Sequence, residues 1–392
     1  MKDIKYYIFI FMEYKYIKNI SKGAFSICNL YKKKNNLYAI KKALDYSENL
    51  GVSNNELREI FALLILNKHP NIIRINEIYI DSGNAINIVY NYYSKTLFDF
   101  FVTTKNEERC KYLLQFINQM LSAIHYIHSN GIIHTDLKET NILVSIVNNK
   151  FEIKIIDFGS STISRITDKY SIVSTYTIRA PEIYTYDKNY DNKIDLWSLG
   201  VLINKFITGK DILNPHIHNN SSDIEKIKYI YNFIDNLDTQ NIEIKMKFFL
   251  KELLKIDPVK RLDVNNFILL FENIFKVQVP LYEVNNNLNE LILSNKCFEL
   301  NSLNTYISSR LFNIKLNNLY FGNLILEKIE DVNNLDYITI WYLNYQFTHS
   351  DVEYYLKDFL PIFNSYYKTI FDKNEINKNC FYLLDLIEFN LF

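Results

Sequence analysis

Polar and apolar positions change period along this chain. Residues 14–20, 26–31 and 37–42 are rich in β-branched and aromatic side chains and are separated by Gly or Lys-Asn runs, which predicts three short strands. The run Lys32-Lys33-Lys34 falls in one such break and reads as a solvated hairpin tip. Over residues 54–67, Leu57, Ile60, Phe61 and Leu64 recur at the period of a helix. Strand character returns over residues 72–93. From Lys111 onward, Leu113, Phe116, Ile117, Met120, Leu121, Ile124 and Ile127 form the stripe of a long amphipathic helix that runs into Asn130-Gly131. Residues 192–275 are again mostly helical. Strands first and helices after predict an α+β chain with a small β-rich lobe and a larger helical lobe.

Composition narrows the setting. With 392 residues, 48% of them hydrophobic, the chain can fill two lobes and a further domain. Lys+Arg and Asp+Glu are both 44. That balance removes the electrostatic case for nucleic-acid or anionic-membrane binding. Cys28, Cys110, Cys297 and Cys380 are scattered without a CxxC pair. This argues for reduced thiols in an intracellular protein and against a zinc site. The apolar stretch 6–12 is too short to span a membrane and lacks a signal-peptide cleavage site; an N-terminal strand is expected there. The heavy use of Asn, Ile, Lys and Tyr reflects AT-rich codons. Only 8 residues are Gly, where about 7% of a chain is usual. So few are expected to sit where other residues fail sterically, and Gly23, Gly131, Gly159 and Gly200 all fall in the motifs below.

The chemistry concentrates in Ile133-His134-Thr135-Asp136-Leu137-Lys138-Glu139-Thr140-Asn141 and, further on, Asp157-Phe158-Gly159. Asp136 can take a proton from a hydroxyl, Asn141 and Asp157 can hold Mg²⁺ on phosphates, and Lys138 can steady a phosphoryl group in transit. This resembles the catalytic and metal loops of protein kinases. Other segments resemble the same family in order and spacing, over residues 14–276. Ile20-Ser21-Lys22-Gly23-Ala24-Phe25-Ser26-Ile27-Cys28 resembles the glycine-rich loop, with serine at its two outer glycines. Tyr38-Ala39-Ile40-Lys41 resembles the strand bearing the phosphate-binding lysine. Alternation puts Ala39 and Lys41 on one face and Lys42 toward solvent. Glu59 is the expected helix partner of Lys41, with Glu56 as competitor. The alternative for either glutamate is a surface i,i+3 helix charge.

The resemblance implies a bilobal protein-kinase fold, 14–276, preceded by an extension, 1–13, and followed by a helical region, 277–392. It implies phosphoryl transfer from ATP, with Mg²⁺, to protein hydroxyls. Asp136 would be the base, supported by Lys138 and Thr175, with His134 structural. Lys41 and Glu59 would form the phosphate-binding pair. Ile20, Gly23, Cys28, Ala39, Tyr90 and Leu143 would surround the nucleotide, Tyr90 as gatekeeper. Asn141 and Asp157 would hold metal. Asp195, in Asp195-Leu196-Trp197, would brace the catalytic loop, and Glu182 and Arg261 would form a buried ion pair. Thr135 stands where an arginine usually receives an activation-loop phosphate, so phosphate-driven ordering is not expected. Lys138 points to Ser/Thr specificity. Arg179 before Ala180-Pro181-Glu182 marks the cyclin-dependent/MAP/LAMMER (CMGC) branch, and His134-Thr135-Asp136 its LAMMER-like members. Tyr170 and Ser171 are candidate phosphosites, with Ile172 where a phosphorylated tyrosine often stands.

Residues 277–392 lie outside the resemblance. Helices are expected over 319–329 and 352–366, and the first faintly resembles part of a cyclin box. Protein substrates are the expected partners, with neither nucleic acid nor membrane, and with regulation through the C-terminal region. The expected location is intracellular, cytoplasmic or nuclear, in a host cell if the source is a virus or parasite. Two rival readings are a pseudokinase that binds nucleotide without turnover and a platform that binds partners through the C-terminal third.

Overall fold

The computed structural model describes residues 14–23, 26–44, 54–80, 86–163, 174–185, 190–213, 221–239 and 242–283. They divide into two units. One takes the chain up to Leu64 together with Ile75–Asn91; the other takes Ile65–Arg74 together with the chain from Tyr92 to Val284.

In the first unit, β1 (Lys15–Lys22), β2 (Ser26–Lys33) and β3 (Asn36–Ala43) make a meander. It continues through helix α1 (Asn54–Ile65) into β4 (Ile75–Ile80) and β5 (Ile86–Asn91). The sheet is antiparallel throughout, in the order β1-β2-β3-β5-β4. The lysine run is less of a turn than expected: Lys32 and Lys33 complete β2, and only Lys34, at φ 55°, and Asn35 make the turn. The β3–β5 register sets Ala39 opposite Tyr90 and Lys41 opposite Ile88. Directly opposed residues share a face, so Ala39, Lys41, Ile88 and Tyr90 line one side. Ile40 and Val89 turn to the other side and bury with Tyr14, against Tyr31 and Tyr38. In α1, Ile60, Ala62 and Leu63 are buried; the side chains of Leu57, Phe61 and Leu64 lie outside the description.

The second unit opens with β6 (Lys95–Thr96) and α2 (Leu97–Thr103). Thr96 and Asp99 cap that helix reciprocally. Helices α3 (Asn106–Cys110) and α4 (Leu113–Ser129) follow. Every residue of the predicted α4 stripe is buried. Strands β7 (Ile132–Ile133), β8 (Ile142–Val147), β9 (Lys150–Ile155) and β10 (Thr162–Ile163) pair as β6-β8-β9 and β10-β7. Asn148 and Asn149, at φ 51° and 62°, close the β8–β9 hairpin, a conformation asparagine tolerates better than most residues. Then come α5 (Pro181–Tyr184), α6 (Lys193–Thr208), α7 (Asp223–Asp235), α8 (Ile244–Leu253) and α9 (Val264–Phe275).

Glycine behaves as expected at Gly131, whose φ of 73° is left-handed, and at Gly200, but not at Gly23. A Cβ on Gly200, in α6, would lie 2.9 Å from Leu254 and 3.0 Å from Leu253, so its absence allows close packing there. A Cβ on Gly23 would meet only the Ser26 carbonyl, at 3.7 Å, and Gly23 has no positive φ. The steric expectation therefore fails at Gly23, because no other part of the described chain crowds it.

Past α9 the chain runs on along α4. Asn118 donates to the Gln278 carbonyl at 2.7 Å, Ser122 donates to that of Pro280, and Tyr282 meets the His69 ring edge-on at 4.5 Å. Among the described residues no helix is long and apolar enough to cross a membrane. The expected strand at 6–12, Ala24 and Phe25 of the glycine-rich segment, Tyr170, Ser171 and Ile172, Cys297 and Cys380, and the helices at 319–329 and 352–366 lie outside the described residues.

Candidate active site

Each unit gathers a set of the expected residues. In the first, Lys41 leaves β3 on the face shared with Ala39, and its Nζ lies 2.5 Å from Glu59 Oε2. Glu59 is thus the partner. Glu56 does not match the surface-charge reading either, because it is buried. Lys42 is half-buried rather than free in solvent. The other Glu59 oxygen, Oε1, accepts from the Tyr90 hydroxyl at 2.8 Å. Sequence reasoning missed that bond: it joins β5 to α1, and no local pattern encodes it. Cys28 pairs with Lys41 in the β2–β3 register. Burial pushes its thiol up to about 11, with Lys41 pulling down and Glu59 pushing up, so it is a neutral thiol and a poor nucleophile. Ile20 is exposed on β1 and Gly23 donates to Ser26 O at 2.8 Å.

The second set centres on Asp136. Thr175 gives its backbone N–H and its hydroxyl to Oδ1, at 2.8 and 2.7 Å. Lys138 Nζ reaches Oδ2 at 2.6 Å and Thr175 Oγ1 at 2.9 Å. Asn141 Nδ2 donates to the Asp136 carbonyl at 3.0 Å. A carboxylate held on both oxygens this way is fixed in direction. Leu143, two residues on in β8, is half-buried.

The loop carrying Asp136 is fixed by backbone bonds to one buried carboxylate. Asp195, at the start of α6, accepts from Thr135 N at 2.9 Å on Oδ1. On Oδ2 it accepts from His134 N at 2.9 Å and faces His128 Nε2 at 2.9 Å. His134 bonds the Ile156 carbonyl through Nε2 and the Asp136 N–H through Nδ1, at 3.1 and 3.2 Å, and packs on Phe158. Those partners require the neutral ring with its proton on Nε2. His134 therefore acts as a structural residue.

Three non-glycine residues here have left-handed backbones: Thr135 at φ 69°, Asp157 at 64° and Ser174 at 67°. Each costs roughly 1–3 kcal/mol, and the surroundings hold two of them in place. The Thr135 hydroxyl donates to Ser160 O at 2.8 Å, and the Ser174 hydroxyl donates to Thr135 O. Arg179 gives two N–H groups to the Ser174 carbonyl, at 3.2 and 2.7 Å. The neutral Thr135 hydroxyl thus ties Ser160, just past Asp157-Phe158-Gly159, to the loop that carries Asp136.

The donors fit Mg²⁺. The Asn141 amide nitrogen is committed to Asp136 O, which leaves its oxygen as the coordinating atom. The Asn141 backbone carbonyl accepts from Ile156 N at 2.9 Å, tethering the catalytic loop next to Asp157. Among the described residues no cluster of three or more acidic, His or Cys ligands forms a metal cage. One carboxylate and one amide oxygen, completed by phosphates and water, suit Mg²⁺.

Two ion pairs brace this set. Glu139 in the catalytic loop bonds Lys205 of α6 at 2.6 Å, and Lys205 also reaches Asp211 at 2.8 Å. Burial opposes the Lys205 charge, but the bonds to Asp211 and Glu139 outweigh it and hold its pKa up. This pair was not foreseen. The expected one is present: Arg261 grips both Glu182 oxygens, at 2.7 and 3.1 Å, and also donates to the Lys255 and Lys193 carbonyls.

With this geometry in place, comparison defines the class. The protein kinase domain family matches residues 14–269, and the chain belongs to that family. Similar proteins include a probable CTD kinase subunit alpha homolog of Encephalitozoon cuniculi, 33% identical over 50% of this chain and 58% of that one. A mitogen-activated protein kinase HOG1 of Scheffersomyces stipitis is 34% identical over 46% of each. A putative serine/threonine-protein kinase L673 of Acanthamoeba polyphaga mimivirus is 35% identical over 46% of this chain and 32% of that one. The match thus covers less than two thirds of each relative. Relatives of the CTD, MAP and cyclin-dependent kinase types are characteristic of the CMGC branch. Kinases of this family use ATP and Mg²⁺.

Proposed function

We propose that this chain is an ATP-dependent protein serine/threonine kinase of the CMGC branch. The observation that carries the reading is the Asp136 carboxylate, fixed by Lys138, Thr175 and Asn141 on a loop anchored to Asp195. In this reading Asp136 orients an acceptor hydroxyl and takes its proton. Lys138 stands beside it to balance charge on the transferring group. Lys41, aligned by Glu59, addresses ATP phosphates, and Asn141 and Asp157 hold the metal. Mg²⁺, when bound, neutralises phosphate charge. Catalysis rests on positioning and electrostatics. Ile20, Gly23, Cys28, Ala39 and Leu143 would line the nucleotide. Retention of every charged group argues against the pseudokinase.

The substrate reading is a Ser or Thr followed by proline. Ser174 is left-handed and its carbonyl is spent on Arg179. In a kinase of this branch, that carbonyl would then not accept an N–H from the residue after the acceptor. Proline, which has no N–H, loses nothing there. The Thr135 hydroxyl, in place of an arginine, supports a LAMMER-like affinity and activity without activation-loop phosphorylation. The free thiols Cys28 and Cys110 support an intracellular setting.

The test is Mg²⁺-dependent transfer from ATP to Ser-Pro and Ser-Ala peptides by unphosphorylated protein. Asp136→Asn is expected to lose on the order of 100-fold or more in kcat while still binding ATP. An unchanged rate overturns the base assignment. The Ser-Pro peptide is expected to be the better substrate, and equal turnover of the two peptides overturns the proline reading.

A further inference from the structure

We infer that Tyr90 is a positioning residue: its hydroxyl holds Glu59, and through Glu59 it sets the phosphate-binding Lys41. The inference rests on the kinase reading above but concerns a bond that reading does not need. Glu59 divides its two oxygens, with Oε2 to Lys41 at 2.5 Å and Oε1 to Tyr90 at 2.8 Å. Its side chain is 3% exposed, and Tyr90 is 7% exposed. A lysine by itself orients a carboxylate only loosely, because it is a flexible point charge. A second donor on the other oxygen removes that freedom.

Tyr90 is well suited to the task. It sits on β5 opposite Ala39 of β3, on the face from which Lys41 also projects. A phenol is rigid and needs only two torsions fixed to deliver its O–H. The residue thus joins β3, β5 and α1 at one point. The bond is charge-assisted and shielded from water, the condition in which such bonds are strongest. Phenylalanine would fill the same space without the bond, so the hydroxyl can be tested alone.

The experiment compares wild type, Tyr90→Phe, Glu59→Gln and the double variant in full-length protein. Two readouts are taken: kcat and KM for ATP, and the rate at which an amine-reactive reagent modifies Lys41 without nucleotide, followed by mass spectrometry. Loss of one charge-assisted bond is expected to lower kcat/KM for ATP about tenfold in Tyr90→Phe. Lys41 should be modified several-fold faster. In the double variant the Tyr90 effect should largely vanish, because the Lys41–Glu59 ion pair that Tyr90 aligns is already gone. Unchanged kcat/KM and labelling in Tyr90→Phe, or fully additive losses, overturn the inference. If wild type transfers no phosphate, the kinase reading fails, and the labelling series alone still decides the role of Tyr90: faster labelling in Tyr90→Phe supports it, an unchanged rate overturns it.

Discussion

Arg261 shows how much one residue can carry. Its guanidinium is 1% exposed, holds both oxygens of Glu182, stacks over Trp197 at 5.1 Å, and fills its remaining donors with the carbonyls of Lys193 and Lys255. A buried pair of this kind does little for stability against an apolar replacement of both partners, but losing one partner strands the other charge. Arg261→Met is therefore expected to destabilise the fold by about 3–5 kcal/mol, read as a drop in urea midpoint. Glu182→Gln with Arg261→Met should recover part of that loss; a double variant no better than the single one would show that the stranded charge is not the cause. The pair was legible in sequence because Ala-Pro-Glu and the late arginine keep family spacing. The Lys205–Glu139–Asp211 group was not, because its members are ordinary surface-type residues whose meeting depends on where α6 ends.

Between elements, the relay that ties the tail beyond α9 to α4 and to the loop after α1 is pH-sensitive. Ser122 donates to Pro280 O, so His69 Nε2–H must donate to Ser122 Oγ, at 3.0 Å, while Nδ1 accepts from Asn71 N at 3.1 Å. Both ring nitrogens are used and only the neutral ring satisfies them. Burial, then the charges of Lys154 and His125, push its pKa down to about 3. The unfolded chain protonates this histidine near pH 6.5 and the folded one only near 3. Between those values the unfolded state binds more protons, so stability is full above about pH 6.5 and falls as the pH drops toward 3. At pH 5 the cost is about 2 kcal/mol. In urea titrations, His69→Gln, which can still donate and accept, is expected to lose less stability between pH 7.5 and 5 than wild type. An equal loss would place the pH dependence elsewhere.

At the scale of the whole molecule, the fold class and the strand-then-helix order were legible in the sequence, and so were the residues that gather around Asp136. Periodicity reports burial, and phosphoryl transfer allows few substitutions among its charged groups. The α4 stripe and the run from His134 to Asn141 are the clearest cases: one is marked by a repeating apolar face, the other by the spacing of Asp136, Lys138 and Asn141. Tertiary structure alone decided that Tyr90 shares Glu59 with Lys41, that Gly23 stands uncrowded, and that Lys205 joins Glu139 to Asp211. These outcomes depend on register between strands and on where helices end. A sequence records such geometry only through the sum of its packing, never in a local pattern.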